Sequence, residues 1–209
     1  MGPRWRAGKG DGAANLGGTT VENETPVFVP VILGTIRKGR ASENVARFVH
    51  AELSRLDGVE TELVDIRDIR LGWDDEGEAL KDQAFAALCD RADGFVLVVP
   101  EYNHSFPGSL KRVLDTNLKE YIHKAAGVVG VSAGPWGGVR MIQSLLPVLR
   151  EIGLVTIFWD GNFPTAQKQF DAAGAILDPA TADRRLEKFF AELVWMSRTL
   201  RYGRRNIAQ

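Results

Sequence analysis

The sequence predicts an α/β fold in which helices cover both faces of a parallel β-sheet. Five short, continuous apolar runs rich in valine, isoleucine and leucine are typical of strands that are buried on both faces. The stretches between these runs carry apolar residues at helical spacing. Because right-handed crossovers place helices on the two faces of such a sheet, this alternation predicts a three-layer domain.

Each strand is predicted from an apolar run that ends at a turn signal. The strands are expected at residues 27–33, 61–65, 94–100, 126–132 and 154–159. The run from Gly94 to Pro100 is the strongest of them. Pro30 fits the first strand imperfectly, because proline lacks a donor for the ladder and favours edges or bulges.

Each helix is predicted from apolar spacing and from its cap signals. Helices are expected at residues 42–56, 79–91, 107–119 and 139–152, followed by a final helix. Ser42 is a favourable N-cap for the first of them. The final helix is expected to be capped near Thr181 or Asp183. Its core-facing residues would be Leu186, Phe189, Phe190, Leu193, Val194 and Met196.

One folded domain is expected, since 209 residues with 44% apolar residues can bury one substantial core. Residues 1–26 are rich in glycine and polar residues and lack an apolar period, so we interpret them as a disordered arm or an added leader. The folded domain is predicted to span residues 27–202, with a C-terminal tail at residues 203–209.

The composition argues against several classes of protein. A net charge of -1 provides no global basic field for nucleic acid or an anionic membrane. The single cysteine, Cys89, excludes an internal disulfide and a multi-cysteine zinc site, and we interpret it as a buried packing residue. The three histidines do not cluster in the sequence, so they do not indicate a metal site. Since no run approaches the roughly 20 apolar residues of a membrane helix and no export signal is recognised, a cytoplasmic protein is expected.

The loop after the first strand is predicted to bind an anion. Ligands of open parallel sheets bind beyond the carboxyl ends of the strands. Residues 34–42 run into a helix N-terminus, where unpaired N–H groups and the helix dipole attract an anion. Thr35 and Ser42 add hydroxyls, and Arg37 and Arg40 add full charges, which together fit a phosphate monoester. The alternative is a solvated basic loop.

The same loop has the glycine spacing of the phosphate loop in nucleoside triphosphatases. Gly34 and Gly39 match, but Lys-Ser or Lys-Thr should follow the second glycine to reach the phosphates and magnesium. Arg40 and Ala41 stand there instead, so a protein of this nucleotide-binding type is the less favoured interpretation.

Two further loops follow later strands and are expected to face the same crevice. Residues 100–111 hold two prolines and the aromatic residues Tyr102 and Phe106, a combination that fits the edge and face of a planar heterocycle. Residues 132–140 hold glycines that let backbone N–H groups approach a ligand closely. Either loop alone could be a rigid turn, but three such loops at one edge favour a ligand site.

These three loops resemble those of the NADPH-dependent FMN reductase family, which includes quinone, azo-dye and chromate reductases. The most specific part of the resemblance is Pro100-Glu101-Tyr102-Asn103 with Ser105, Pro107, Gly108, Leu110, Lys111 and Asp115. The first loop adds Gly34-Thr35-Ile36-Arg37 and Ser42, and the third adds Ser132-Ala133-Gly134, Gly137, Gly138 and Arg140. The resemblance extends over residues 27–200. It implies a flavodoxin-like doubly wound fold with five parallel strands in the order 2-1-3-4-5.

By this similarity, the chain binds FMN non-covalently through all three loops. The phosphate would be surrounded by Thr35, Arg37, Ser42 and Asn44, and whether Arg40 also touches it is left open. The isoalloxazine ring would be lined by Pro100, Glu101, Tyr102 and Asn103. The loop that closes the other edge of the ring would contribute Ser132, Ala133, Gly134, Gly137 and Gly138.

The resemblance also implies an oxidoreductase that passes electrons from NADPH or NADH through FMN to a small acceptor, such as a flavin, a quinone or an azo compound. FMN carries the chemistry in a ping-pong cycle and no side chain is needed as a general acid, so we assign no catalytic residue. The alternative is a flavodoxin-like electron carrier or flavin-binding sensor without NAD(P)H turnover. A homodimer or homotetramer is expected, with a contact around Leu71 and Trp73.

Overall fold

A computed structural model of the protein describes residues 25–72 and 77–207. The strands are β1 (Val27–Phe28), β2 (Val31–Leu33), β3 (Val59–Glu60), β4 (Leu63–Asp65), β5 (Gly94–Pro100), β6 (Lys124–Val131), β7 (Leu154–Thr156) and β8 (Gly161–Phe163). The α-helices are α1 (Ser42–Leu53), α2 (Gln83–Arg91), α3 (Gly108–Leu114), α4 (Val139–Glu151) and α5 (Pro179–Asn206). Within the described residues, two 3₁₀ turns lie at Gly77–Leu80 and Ala166–Lys168. Residues 1–24 of the predicted arm lie outside the described residues.

The strands pair in parallel throughout the sheet. β1 and β2 are two halves of the first strand, and β3 and β4 are two halves of the second, with β1 beside β3 and β2 beside β4. The main sheet has the order β4-β2-β5-β6-β7, and β8 lies beside the carboxyl half of β6. When the halves are joined, the order is the predicted 2-1-3-4-5, so the flavodoxin-like doubly wound fold is confirmed.

Pro30 lies between β1 and β2 in a central strand without breaking the ladder. The N–H groups of Val29 and Val31 donate to carbonyls of the second strand at 2.9 and 2.8 Å. The Pro30 carbonyl accepts from Val96 N at 3.0 Å, on the side of β5. The donor that proline lacks therefore faces β5, and the hydrogen bonds to the second strand continue past it.

The helices cover both faces of the sheet, as predicted. One face packs against α1 and α5 through residues such as Val45, Val49 and Phe189. The opposite face packs against α2, α3 and α4 through residues such as Leu110 and Leu145. All residues of β5 and β6 are buried, which explains why these strands appear in the sequence as continuous apolar runs.

Two helix caps differ from the prediction. Ala41 occupies the N-cap of α1 and Ser42 is the first helical residue, so the prediction that Ser42 caps this helix is wrong. The N-cap of α5 is Asp178, whose carboxylate accepts from Thr181 N at 3.1 Å. Neither Thr181 nor Asp183 is the cap, because the proline that follows Asp178 is preorganised for the first helical position.

The last predicted strand is split in the structure. β7 ends at Thr156, and β8 forms a second short segment beside β6. Gly161 permits this close approach, since a Cβ there would lie 2.9 Å from Val129 Cγ2. The prediction of one strand over residues 154–159 is therefore wrong. The third predicted helix is also too long, because α3 ends at Leu114.

The C-terminal helix extends past the predicted domain boundary. α5 continues to Asn206, so residues 203–206 belong to the folded domain rather than to a tail at residues 203–209. The guanidinium of Arg204 anchors this last turn, at 2.8 Å from Asp93 Oδ1. This contact ties the end of the chain to the start of β5.

Cys89 lies in α2 and is buried, which confirms its interpretation as a packing residue. Burial raises the pKa of its thiol to about 12, so the reactive thiolate is scarce near neutral pH.

Over residues 25–72 and 77–207, no helix is both long and apolar enough to cross a membrane. In the same ranges, no group of three or more histidine, cysteine, aspartate or glutamate side chains is arranged to hold a metal ion.

Candidate active site

The three predicted loops meet at the carboxyl edge of the sheet, around a cavity of about 340 Å³. The first loop joins β2 to α1, the second joins β5 to α3, and the third joins β6 to α4. Since β2, β5 and β6 are neighbours in the sheet, their ends bring the loops together. A larger cavity of about 580 Å³ lies along α4 and β7, so chemistry rather than size singles out the three-loop cavity.

The helix end at the first loop carries groups suited to an anion. The N-cap residue Ala41 makes no side-chain hydrogen bond to the N–H groups in the first turn of α1. The hydroxyl of Ser42 is buried, and it has no hydrogen-bond partner within the described residues. Both residues line the cavity, so an anionic group there would meet the positive end of the helix dipole and an orphaned hydroxyl.

Arg40 turns away from this helix end and binds a carboxylate of the neighbouring strand. Its side chain is 1% exposed, and its guanidinium forms a bidentate ion pair with Asp65 at the end of β4. The same guanidinium donates to the Thr35 carbonyl, and its Nε atom lies 3.4 Å from Glu43 Oε2. The charge of Arg40 is thus already compensated, which limits what it offers to a phosphate.

Arg37 is exposed at the mouth of the first loop. Its guanidinium carbon lies 5.8 Å from the centre of the Tyr102 ring. Its backbone N–H donates to Thr35 Oγ1 at 3.3 Å, and its carbonyl accepts from Arg67 at 2.5 Å. Within the described part of the chain, no carboxylate pairs with the Arg37 guanidinium, so its charge is available to attract an anion.

The second loop is a tight hairpin that holds Tyr102 against the first loop. Tyr102 and Ser105 exchange two backbone hydrogen bonds of 2.8 and 3.0 Å. Between them, Asn103 and His104 have φ angles of 50° and 68°, as the two central residues of a type I′ turn require. The Tyr102 hydroxyl lies 3.0 Å from Thr35 Oγ1, so a side-chain hydrogen bond ties the hairpin to the first loop.

Glu101, at the base of the second loop, is held by Arg140 from the first turn of α4. The Glu101 side chain is 5% exposed, and its Oε1 atom is paired with Arg140. Its Oε2 atom is buried and has no hydrogen-bond partner among the residues described. Arg140 Nη1 also lies 2.7 Å from His104 Nε2. This network joins the second and third loops beside the cavity.

The third loop is shaped mainly by internal contacts. Ser132 Oγ donates to Gly134 O at 2.8 Å and accepts from Gly137 N at 2.9 Å. Gly137 and Gly138 have φ angles of 61° and 82°, and a Cβ on Gly138 would lie 2.8 Å from Gly130 Cα. These glycines therefore let α4 start directly against β6, which is a packing requirement rather than a ligand contact. The first two residues of the loop line the cavity.

The structure divides the predicted site residues into two groups. Those that line the cavity are Arg37, Arg40, Ser42, Pro100, Glu101, Tyr102, Ser132 and Ala133. Those that lie outside its lining are Thr35, Asn44, Asn103, Gly134, Gly137 and Gly138. Asn44 faces Gly174, whose Cβ position would be 3.1 Å from Asn44 Oδ1. Phe106 packs against the core, so it does not supply the flat surface that the loop sequence suggests.

Several cavity residues were not among the predicted site residues, although three of them lie in the predicted anion-binding loop. The lining also includes Lys38, Gly39, Ala41, Val131 and Gln167. Gln167 comes from the 3₁₀ turn after β8, and its amide donates to Ala133 O at 3.2 Å. Because β8 is not predicted, no local pattern places Gln167 at the site. Sequence analysis also did not identify Asp65 as the ion-pair partner of Arg40 in the first loop. An acidic residue at the end of a strand that neighbours a basic loop could have indicated this pair.

Known proteins are similar to this chain in both sequence and fold. The chain matches the sequence profile of the family described as NADPH-dependent FMN reductase over residues 28–167. It is 30% identical over 166 residues to "Probable NADPH:quinone oxidoreductase 2" of Oryza sativa subsp. japonica, covering 72% of this chain and 79% of that protein. It is 29% identical over 184 residues to an NAD(P)H-dependent FMN reductase of Pseudomonas aeruginosa, covering 80% and 94% of the two chains.

A solved structure supports the fold independently. The flavoenzyme NAD(P)H:(acceptor) oxidoreductase FerB from Paracoccus denitrificans superposes with a TM-score of 0.66 over 83% of this chain and 98% of that chain, at 23% identity. The matched profile spans more than half of the chain and contains all three loops of the cavity. The chain therefore belongs to the NADPH-dependent FMN reductase family, an oxidoreductase family that works with FMN and a nicotinamide donor.

Proposed function

We propose that the chain holds FMN non-covalently in the three-loop cavity and reduces small acceptors with electrons from NADPH or NADH. The observation that carries the proposal is the meeting of an uncapped helix N-terminus, an exposed arginine and a tyrosine hairpin around one cavity. Its volume of about 340 Å³ lies within the usual range of ligand sites, about 300–1,000 Å³.

The phosphate of FMN is assigned to the start of α1. The orphaned Ser42 hydroxyl and the first-turn N–H groups are suitable donors for phosphate oxygens. Arg37 adds a charge-assisted contact. Arg40 is assigned a supporting role in the loop, because Asp65 already occupies its guanidinium.

The isoalloxazine ring is assigned to the second and third loops. Pro100 and Tyr102 offer a restricted, largely apolar edge, and Ser132 and Ala133 close the opposite side. The ion pair with Arg140 offsets the charge of Glu101, which would otherwise oppose negative charge that develops on a reduced ring. The positive dipole end of α4, which follows the third loop, acts in the same direction.

When bound, FMN supplies the hydride chemistry, and the protein supplies position and electrostatics. No side chain is assigned as a general acid or base. The nicotinamide donor and the acceptor are proposed to use the open side of the cavity in turn, which is a ping-pong order. A flavin, a quinone or an azo compound is the proposed class of acceptor. The name of the rice relative, a probable NADPH:quinone oxidoreductase, supports the quinone.

The protein is also proposed to be a cytoplasmic homodimer or homotetramer. Phe158 is 80% exposed and Trp195 is 61% exposed, which is typical of contact surfaces. Glu192, which precedes Trp195 by three residues in α5, accepts a hydrogen bond from Phe158 N at 3.1 Å. The expected contact around Leu71 and Trp73 gains no support, because Leu71 packs against the core and Trp73 lies outside the described residues. A monomeric mass in light scattering would contradict the assembly.

The visible spectrum of the purified protein tests cofactor and reaction together. Apo-protein titrated with FMN should take up one flavin per chain, and anaerobic NADPH should bleach the flavin band. Steady-state NADPH oxidation with a quinone then tests turnover. If FMN binds but neither NADPH nor NADH reduces it, the reductase proposal is wrong and a carrier or sensor is favoured. If FMN does not bind, both are wrong.

A further inference from the structure

We infer, on the basis of the proposed function, that Asp65 is a positioning residue that presets the first loop for the FMN phosphate. Asp65 is the last residue of β4, in the strand beside the first loop. It does not belong to the lining of the three-loop cavity. Its influence on a ligand therefore has to pass through the residues that it holds.

Asp65 binds the side chain of one arginine and the backbone of a second, and the side chains of both arginines hold the first loop from the side of β4. Its Oδ1 atom accepts from Arg40 Nη1 at 3.1 Å and from Arg67 N at 3.0 Å, and its Oδ2 atom accepts from Arg40 Nη2. Because the Arg40 side chain is 1% exposed, this carboxylate compensates a charge that has little access to water. We call Asp65, Arg40 and Arg67 the Asp65 clamp.

The clamp holds three consecutive carbonyls of the first loop. Arg40 donates to the Thr35 carbonyl, and Arg67 donates to the next two carbonyls at 3.0 and 2.5 Å. In a trans peptide, a carbonyl and the following N–H point in opposite directions. The N–H groups that follow these carbonyls are therefore turned away from the arginines, and the last of them belongs to Lys38, which lines the cavity.

A preset phosphate loop contributes affinity only for a ligand that carries the phosphate, because preorganisation saves the cost of ordering the groups that bind it. Riboflavin has the same ring as FMN and lacks the phosphate. The ratio of the riboflavin and FMN dissociation constants therefore separates the effect of the clamp from general damage to the cavity.

The experiment compares Asp65→Asn with the matched variant Asp68→Asn, each titrated with FMN and with riboflavin by flavin fluorescence. Asp68 lies in the same turn, and its side chain is not part of the Asp65 clamp. Asp65→Asn should weaken FMN binding about tenfold or more, the effect of losing a hydrogen bond to a charged group, and leave riboflavin binding unchanged. Asp68→Asn should change neither constant.

Three results with Asp65→Asn would overturn the inference: equal losses for both flavins, an unchanged FMN constant, or tighter FMN binding through the unpaired Arg40 charge. If this variant does not fold, Arg67→Met decides, because it removes two donors to the loop from a partly exposed side chain and keeps an apolar stem. It should weaken FMN binding several-fold without affecting riboflavin, and an unchanged ratio would overturn the inference. Wild-type protein that binds no FMN overturns the proposed function itself, whereas FMN binding that is insensitive to these variants overturns the clamp alone.

Discussion

The hydroxyl of Tyr102 lies 3.0 Å from Thr35 Oγ1, so one side-chain hydrogen bond joins the second loop to the first across the carboxyl edge of the sheet. Thr35 is buried, and its Oγ1 atom also accepts from Arg37 N at 3.3 Å. The same threonine therefore connects the residue proposed to reach the phosphate with the residue proposed to border the ring.

Tyr102→Phe should weaken FMN binding by about 0.5–1.5 kcal/mol, the net value of one hydrogen bond, because the hairpin loses its link to the first loop. Fluorescence titration with FMN measures the effect. Tyr202→Phe is the control, since Tyr202 is an exposed tyrosine on α5. An FMN constant equal to that of the control would show that the hydrogen bond has no role in binding.

Arg37→Ala should weaken FMN binding by about 1.5–3 kcal/mol, because it removes a charge-assisted phosphate contact. Riboflavin binding should be unaffected. The matched control is Arg47→Ala, since Arg47 is an exposed arginine on α1 that pairs with Glu43 at 2.9 Å. If FMN binding does not respond to Arg37→Ala, the phosphate lies elsewhere.

Gly138→Ala should destabilise the fold by about 2 kcal/mol or more, because alanine is strained at a φ angle of 82° and its Cβ would lie 2.8 Å from Gly130 Cα. Gly134→Ala is a control in the same loop, as a Cβ there meets no atom within 4 Å among the described residues. Urea unfolding measures both variants. Similar stabilities for the two would contradict the close packing of α4 on β6.

Lys124 should make the stability depend on pH in the alkaline range. Burial, followed by the charge of Arg204, lowers the pKa of Lys124 to about 8 from an ordinary value of 10.5. Between these values the unfolded chain keeps a proton that the folded chain has lost, so the free energy of unfolding rises with pH. The free energy of unfolding of the wild type, minus that of Lys124→Met, should therefore increase from pH about 8 to about 10.5.

Urea unfolding of both proteins across this pH window provides the measurement. Lys119→Met, at an exposed position, controls for the loss of one positive charge. A difference that stays flat or falls with rising pH would show that Lys124 keeps its proton in the fold. The Lys124 ammonium donates to the carbonyls of Cys89 and Asp90 at 2.6 Å each, and these contacts would then outweigh burial.

Local patterns were sufficient for the order of strands and helices. The apolar run of β5 and the helical spacing of Val45, Val49 and Leu53 depend on neighbours within one element, so the sequence shows them directly. Boundaries were less predictable. β8 forms because Gly161 fits beside Val129, a contact between residues of two different strands.

By itself, the sequence determined a parallel sheet with helices on both faces and three ligand-binding loops at one edge, because periodicity and turn residues are properties of short segments. The doubly wound strand order was implied by the resemblance of those loops to a known family. Tertiary structure alone decided which charges remain available at that edge. Arg37 and Arg40 look equivalent in the sequence. In the fold, Asp65 pairs with the guanidinium of Arg40, whereas the guanidinium of Arg37 remains exposed. The physical reason is competition: a charged group binds the nearest compensating partner, and that partner comes from a strand that only folding brings alongside.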